Sequence, residues 1–475
     1  MTAQTILPAN TLSGGDLVTN SAVFNDASPD ILKNGTESDG NRKVWTISMW
    51  IKRSKLGVRQ SLWSWGSNSS STGELYIDAN DFLVLNNDGH QGSSNEVAGV
   101  LRDTSAWYHI VWRCDVTESN NIDRWRCYIN GVQRLLTDAA SVSNADGEIN
   151  KNGTHQNWIG GAARSLQSGN AVYPFGGYIA EAVFVDGQAL APTSFGEFDE
   201  DTPTVWKPIN VSGLTFGNEG VYLNFKNATE LGTDVSGNGN TYAETGLTAA
   251  NQSTDTCQNN FATWNPLRKH LAFTAAFTEG NTTVEHSQAD QNQSVFSTMA
   301  VSTGKWYAEF QCSTNASNFA FGIARINTTN DGGLDSYPSS LGGVAYAKNG
   351  EIWYYADGDA DSDTGTTYAY TDIIGILFDL DNTRIYFYKN DTLVNSGGFN
   401  YSVGTAVDGN NTQTTYYFAA GSSDAGTNPV IQANFGGSSG FAISSGNADP
   451  DGYGNFEFAT KGGYALCTKN LAEYG

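Results

Sequence analysis

Glycoside hydrolysis requires two carboxylates about 5 to 9 Å apart, most simply supplied by one strand in an E-x-D-x-x-E pattern. No strand of this sequence carries it. The densest acidic run, Glu197 to Asp201 (EFDED), puts its third acid out of register in a stretch that reads as loop. The five histidines, at 90, 109, 155, 270 and 286, form neither H-x-x-x-H nor H-E-x-x-H, and no serine or cysteine nucleophile signature accompanies them. The glycines fall in turns between strands and not at strand-to-helix junctions, which argues against a phosphate loop. No residue is assigned a catalytic role, and the chain is not expected to be an enzyme.

Two kinds of ligand chemistry have residues to support them. Asp357, Asp359, Asp361 and Asp363 alternate in YADGDADSDTG, and hard oxygen ligands two apart can converge on calcium. Ser362 stands where a calcium loop needs glycine and no glutamate closes the loop, so a hairpin tip whose acids keep an edge soluble is the competing reading. Aromatic side chains beside Asn and Asp suit sugars, the ring stacking on the pyranose face while the polar groups take hydroxyls. The candidates are Trp63, Trp65, Tyr76 and Trp158 in the first half, and Trp353, Tyr354, Tyr355, Tyr368 and Tyr370 in the second. Against each stands the ordinary fate of a sandwich aromatic, which is to fill the core. Trp353-Tyr354-Tyr355 is the strongest, since three consecutive aromatics on a strand put at least one on the outer face.

The elements that must position these residues are strands. Val44 to Lys52 (VWTISMWIK) alternates, with Trp45, Ile47, Met49 and Ile51 on one face, and short strands follow at 60–65, 74–79 and 82–86. A hairpin couples 107–116 (WYHIVWRCDV) with 123–129 (DRWRCYI) and ends on the turn Asn130-Gly131. Strands at 157–160 and 176–186 (GGYIAEAVFVD) complete this set. Farther on, 304–312 (GKWYAEFQC) and 319–324 (FAFGIA) alternate. Residues 372–389 then fold back around Asp381-Asn382-Thr383, with Ile374, Ile376, Phe378 and Leu380 sharing one face, as Ile385 and Phe387 do. Between the two sets, 207–269 contains Pro208, the turn-dense DVSGNGN, the short strands VYLNF and NTYAE, and Asn265-Pro266.

Composition agrees. The 475 residues suit two sandwiches of roughly 200 residues each. The 53 glycines and only 16% charged residues favour pleated strands over exposed helices. The expected fold is all-β: an N-terminal arm over 1–15, a β-sandwich over 16–206, an irregular connector with edge strands over 207–269, and a second β-sandwich with a C-terminal tail over 270–475. A net charge of −24 repels phosphate backbones and anionic headgroups, so neither nucleic-acid binding nor membrane insertion is expected. The first 15 residues lack a basic segment followed by an apolar core, so secretory export is not expected. Cys114, Cys127, Cys257, Cys312 and Cys467 are too scattered for a disulfide framework; Cys114 and Cys127 fall nearly opposite on one hairpin, and whether they pair stays open.

TISMWIK, WYHIVWRCD, YINGV and GYIAEAVFVDG, in that order, resemble a LamG-like, concanavalin A-like jelly-roll domain. STGKWYAEF, FGIA, TDIIGILFDLDN and the late VIQANFG resemble a SPRY-type sandwich. The first resemblance implies a rim calcium, for which Asp78, Asp81 and Asp88 are the candidates; no other cofactor is implied. The pairing of the two modules, with NNFATWNPL and GYALCTKNL, resembles tail-fibre-like virion proteins of marine tailed phages. That resemblance implies a non-enzymatic tail or head fibre, made in the host cytoplasm without a signal peptide and carried on the virion. It would bind host-surface glycan or protein, contact other virion proteins and form a homo-oligomer, with a trimer favoured. The alternatives are a purely structural virion protein without a receptor and, more remotely, a polysaccharide depolymerase.

Overall fold

The computed structural model describes residues 17–475 apart from 28–29, 36–39, 67–71, 88–93, 146–148, 150–154, 163–172, 270–275, 287–292, 317, 326–342, 355–361, 402–414 and 423–427. It is nearly all β, and the chain divides into two units, 1–260 and 261–475. Among the described residues no helix is long and apolar enough to cross a membrane.

The first unit is two antiparallel sheets face to face. In strand order, one sheet runs Val132–Arg134, Trp125–Ile129, Trp107–Asp115, Val44–Arg53, Gly177–Asp186, Ser21–Phe24, Gln252–Ser253, with Val221–Leu223 also on Gly177–Asp186. The other runs Ala243–Thr245, Ile31–Lys33, Gln156–Ile159, Gln60–Gly66, Thr72–Ile77, Phe82–Asn87, Ser94–Val100. The alternation read from VWTISMWIK is realised: Trp45, Ile47, Met49 and Ile51 enter the core between the sheets. The expected strand at 123–129 is shorter, because 121–124 make one helical turn before Trp125. Cys114 stands opposite Trp125 and Cys127 opposite Trp112, so these two buried thiols sit two rungs apart, with the Arg113–Arg126 rung between them, and are not joined.

Within 207–269, the strands Val221–Leu223, Ala243–Thr245 and Gln252–Ser253 pair into the sheets of the first unit, and the division falls between Asn260 and Phe261. This stretch is fastened by charge. Thr46, Ser48, Trp50 and Lys52 face away from the core, yet that face is also covered: Trp50, Trp107, Tyr178, Trp206 and Cys257 form a second apolar layer. Lys52 is buried there, and its Nζ reaches Asp255 Oδ2 at 2.8 Å and Asn260 Oδ1 at 2.7 Å. Asp255 Oδ1 accepts from Trp107 Nε1 at 3.0 Å, and Asn260 Nδ2 donates to Ser105 O at 2.6 Å. Phe195, Val211, Phe216 and Tyr222 extend the layer.

The Gly177–Asp186 strand bulges between Ala180 and Val183, where Glu181 takes φ 46°. Its carboxyl is buried with Tyr222 Oη donating at 2.8 Å, and burial pushes its pKa up to about 7, the Tyr222 hydrogen bond opposing.

The second unit is another sandwich. One sheet runs Trp264–Lys269, Gln293–Val301, Tyr416–Ser422, Phe319–Arg325, Val344–Ala347, Glu351–Tyr354, Ser362–Asp363. The other runs Ala276–Thr278, Thr283–Glu285, Val430–Asn434, Lys305–Cys312, Ile374–Asp379, Arg384–Lys389, Thr392–Leu393. The hairpin read from 372–389 forms as expected: Ile374 pairs with Lys389, and Ile374, Ile376, Phe378, Ile385 and Phe387 are all in the core. Thr383 closes it at φ 54° while Asp379 Oδ1 accepts from Asn382 N. One edge of Lys305–Cys312 is shared between two partners, Val430–Asn434 antiparallel and Tyr464–Ala465 parallel. Buried Glu309 pins the tail, accepting from Glu457 N, Phe458 N, Asn434 Nδ2 and Tyr307 Oη at 2.8 to 3.2 Å.

Replacing Asp255 by alanine strands the Lys52 ammonium inside the apolar layer and is expected to cost about 3–5 kcal/mol in urea unfolding followed by tryptophan fluorescence. Glu181 holds its proton more tightly folded than unfolded. The stability it confers is therefore complete below the unfolded value of 4.5 and lost as pH rises through about 7. Glu181→Gln should flatten that part of the stability–pH profile; an unchanged slope would assign it to another group.

Candidate functional site

The second sheet of the first unit decides the fate of the first four aromatic candidates through its pleat. On one side, Ile159, Trp63, Leu75 and Leu85 follow one another across four strands, and all are core. Trp65 lies on that same side, edge-on to Trp45 at 5.8 Å, above Gly73, where a Cβ would come within 2.1 Å of the indole. Trp63 and Trp65 have no free face, which corrects their expected role in ligand binding: alternation turns them inward.

On the other side the rungs read Lys33, Trp158, Ser64, Glu74, Asn86 and, past a bulge, Ser61, Tyr76, Val84, Glu96. Trp158 and Tyr76 therefore share the outer face, two strands apart, which is about 10 Å. The structure adds two residues there that the sequence did not single out. The Arg59 guanidinium lies 3.9 Å from the Tyr76 ring centroid and 4.5 Å from that of Tyr173, and it is ion-paired to Glu74. Tyr173 O receives Ser61 N at 2.8 Å; the Tyr173 backbone is at φ 60° and the residue is 39% exposed. A non-glycine residue at positive φ with an open ring is a strained presentation, a feature that concentrates at binding sites. At the other end, Lys33 Nζ stands 5.9 Å from the Trp158 ring. The centre of the face is closed and its rim open: Ser61, Ser64 and Trp158 are buried, whereas the Arg59 side chain is 25% exposed.

The expected calcium ligands are otherwise engaged. Asp81 Oδ1 accepts from Arg53 Nη1 at 3.0 Å and Gly57 N at 2.9 Å, and Oδ2 from Arg102 Nε at 2.9 Å, so two guanidinium groups already neutralise it. That corrects its candidacy. Asp78 Oδ1 caps its own turn, accepting from Asn80 N and Phe82 N, each at 2.9 Å. Asp88, Asp357, Asp359 and Asp361 lie outside the described residues, and of Asp363 only the backbone is described, opposite Glu351. Among the described residues no group of three His, Cys, Asp or Glu converges as a metal site.

In the second unit Tyr368 is core, its Oη donating to Tyr346 O at 2.8 Å and its ring near Phe319 and Phe321, which corrects its expected role in binding. Tyr370 is 44% exposed. Trp353 is half-buried on the outer face of its sheet, its Nε1 donating to Glu351 Oε2 at 3.0 Å, at the end of the rung Trp353, Ala345, Gly322, Ala419, Phe296. Tyr355 lies outside the described residues, and of Tyr354 only the backbone is described.

One arrangement has the outward form of a catalytic pair. Ser48 Oγ is 2.9 Å from His109 Nε2, and Trp206 Nε1 donates to His109 Nδ1 at 2.9 Å. Since Nδ1 accepts, Nε2 carries the proton and donates to Ser48, the reverse of what a general base requires. The ring is stacked between Trp50 and Trp206, and burial holds its pKa down to about 3. It is a structural tie that seats the Trp206 segment on the sheet.

Residues 31–193 match the family model described as the concanavalin A-like lectin/glucanases superfamily, of the laminin G type. No curated protein matches the chain. Among solved structures, the chain is similar to the SPRY domain of human HERC1, with 13% identity over 36% of this chain and 96% of that one at a TM-score of 0.28. It is also similar to a putative carbohydrate binding protein from Bacteroides ovatus, with 14% identity over 49% and 59% of the two chains at a TM-score of 0.35. The CBM40 of a Ruminococcus gnavus IT-sialidase, bound to α2,3-sialyllactose, is 18% identical over 31% and 87% at a TM-score of 0.22.

The His109 imidazole is expected to remain neutral from pH 4 to 8 in NMR titration, and Ser48 to resist a fluorophosphonate probe. Labelling of Ser48 would show that the layer over it opens.

Proposed function

We propose that the first unit binds carbohydrate on the outer face of its Trp158-bearing sheet, at the rim formed by Tyr173, Arg59 and Tyr76. The observation that carries this reading is the stack of Tyr173, Arg59 and Tyr76. It holds an exposed ring on a cation at the rim of a face whose Trp158, Ser61 and Ser64 are buried and whose Asn86 is partly exposed. A preorganised ring next to amide and hydroxyl groups is the chemistry that sugars require. The family match over 31–193 supports the same reading. The Ser48–His109 tie is sealed and wrongly protonated for catalysis, which favours binding over hydrolysis.

The setting we propose is a bacteriophage virion appendage, on the strength of the resemblance of the connector and tail segments to tail-fibre-like proteins. Assembly as a homo-oligomer would raise weak sugar contacts to useful avidity. Virion proteomics of the phage carrying this gene tests that setting, and absence of the chain from purified particles would remove it.

Tyr173→Ala removes the exposed ring without touching the core. It should weaken retention on host-envelope glycan about 2- to 12-fold, the worth of 0.5–1.5 kcal/mol, in affinity electrophoresis, with urea unfolding unchanged. Undiminished retention would place any glycan site elsewhere.

A further inference from the structure

The buried fastening of the first unit brings together an amine, an acid–base group and an amide carbonyl. Lys52 stands on one rung between Trp107 and Tyr178 of the flanking strands, its Nζ 5.4 Å from the Tyr178 ring centroid. Its side chain and that of Asp255 are each 1% exposed, and Asn260 is 3% exposed. Nζ meets two partners at once, Asp255 Oδ2 at 2.8 Å and Asn260 Oδ1 at 2.7 Å. The Asn260 carbonyl carbon is one C=O bond, about 1.2 Å, from that oxygen, and so at most about 4 Å from the lysine nitrogen. Each partner is held from behind. Trp107 Nε1 donates to Asp255 Oδ1 at 3.0 Å, Ser21 Oγ donates to Asp255 O at 2.6 Å, and Asn260 Nδ2 donates to Ser105 O at 2.6 Å.

In water a lysine is protonated and an amide is a poor electrophile. Here both obstacles are lowered. Moving the ammonium proton to Asp255 removes two buried charges together and leaves Nζ with a lone pair beside a carbonyl. Confinement replaces a bimolecular encounter, an advantage that reaches effective molarities of about 10⁵–10⁸ M in well-oriented systems. The layer of Trp50, Trp107, Tyr178 and Trp206 keeps competing water away. We propose that Lys52 and Asn260 join through an isopeptide bond, Nζ to Cγ, with Asp255 carrying the protons. Asp255 takes a proton from Nζ, and Nζ attacks Cγ. Asp255 gives that proton to Nδ2 and takes a second from the attacking nitrogen. The Cγ–Nδ2 bond breaks, and ammonia leaves as a neutral molecule with the bonding pair. Asp255 keeps the second proton, so the sealed layer ends without a charge in it. The ion pair is the state that precedes the bond.

The bond spans a separation of 208 residues and ties the last segment of the unit to a central strand. Gln252–Ser253 pairs over only two rungs at the edge of its sheet, whereas Val44–Arg53 is paired along both sides. Tension entering at residue 261 therefore reaches the middle of the sheet in place of peeling its edge.

The test is mass spectrometry of the full chain, denatured and digested with trypsin. Residues 44–53 are expected joined to residues 227–268, one ammonia lighter than the two peptides together, with fragmentation placing the bond between Lys52 and Asn260. The linked species is expected to be lost in Asp255→Asn, and in Lys52→Arg, which keeps a buried cation but has no amine to offer. Full recovery of residues 44–52 as a free peptide, from protein whose tryptophan fluorescence reports the fold, would overturn the bond. Ammonia loss confined to the 227–268 peptide alone would mean a succinimide and overturn it equally. A linked pair one water lighter would move the acceptor to Asp255 and overturn the role of Asn260. Undiminished linkage in Asp255→Asn would overturn proton transfer by Asp255.

Discussion

The buried pair of Lys52 and Asp255 sets the plan of the first unit. An ammonium on the outer side of a central strand belongs in water unless a carboxylate is brought to it; Asp255 arrives from two hundred residues later, Asn260 Oδ1 accepts a second bond from the ammonium, and Trp107 Nε1 donates to the carboxylate. With the 253–260 segment lying there, the Val44–Arg53 strand is buried on both of its faces. The aromatic layer of Trp50, Trp107, Tyr178 and Trp206 fills in around the pair. The other sheet keeps the face whose rim is open, and the candidate site lies on it.

The two sheets use the same pleat to opposite ends. In the first, polar outward positions such as Ser48, Lys52 and His109 are drawn into a sealed layer and tied by hydrogen bonds, so that side chains with catalytic names do structural work. In the second, outward positions meet a cation stacked between tyrosines and a hydroxyl left unpaired. Residue type alone does not separate these outcomes; what covers the face does.

Much of the fold was legible in the sequence because period-two alternation is a local signal, and strands such as VWTISMWIK and the Ile374–Lys389 hairpin express it fully. The site was half legible. Trp158 and Tyr76 were found as aromatics, but Trp63 and Trp65 looked the same, and only the register across four strands tells outward from inward. The bulge between Ser61 and Trp63 blurs the pattern further, since Leu62 and Trp63 both enter the core. Arg59 and Tyr173 carry no signal in their own neighbourhoods: each matters because the other, more than a hundred residues away, stacks on it. Likewise Asp81 resembles a calcium ligand until Arg53 and Arg102 arrive at it.

The shared edge of the Lys305–Cys312 strand bears on how the second unit comes into being. Ile374–Asp379 covers one side of that strand, but its other side is filled half by Val430–Asn434 and half by Tyr464–Ala465, whose Tyr464 stands opposite Trp306. Ribosomal synthesis therefore exposes an unfilled, apolar central strand until residue 465 has emerged. Closing so long a loop is slow on entropic grounds. The Glu309 contacts to Glu457 and Phe458 likewise require that late segment to have been made.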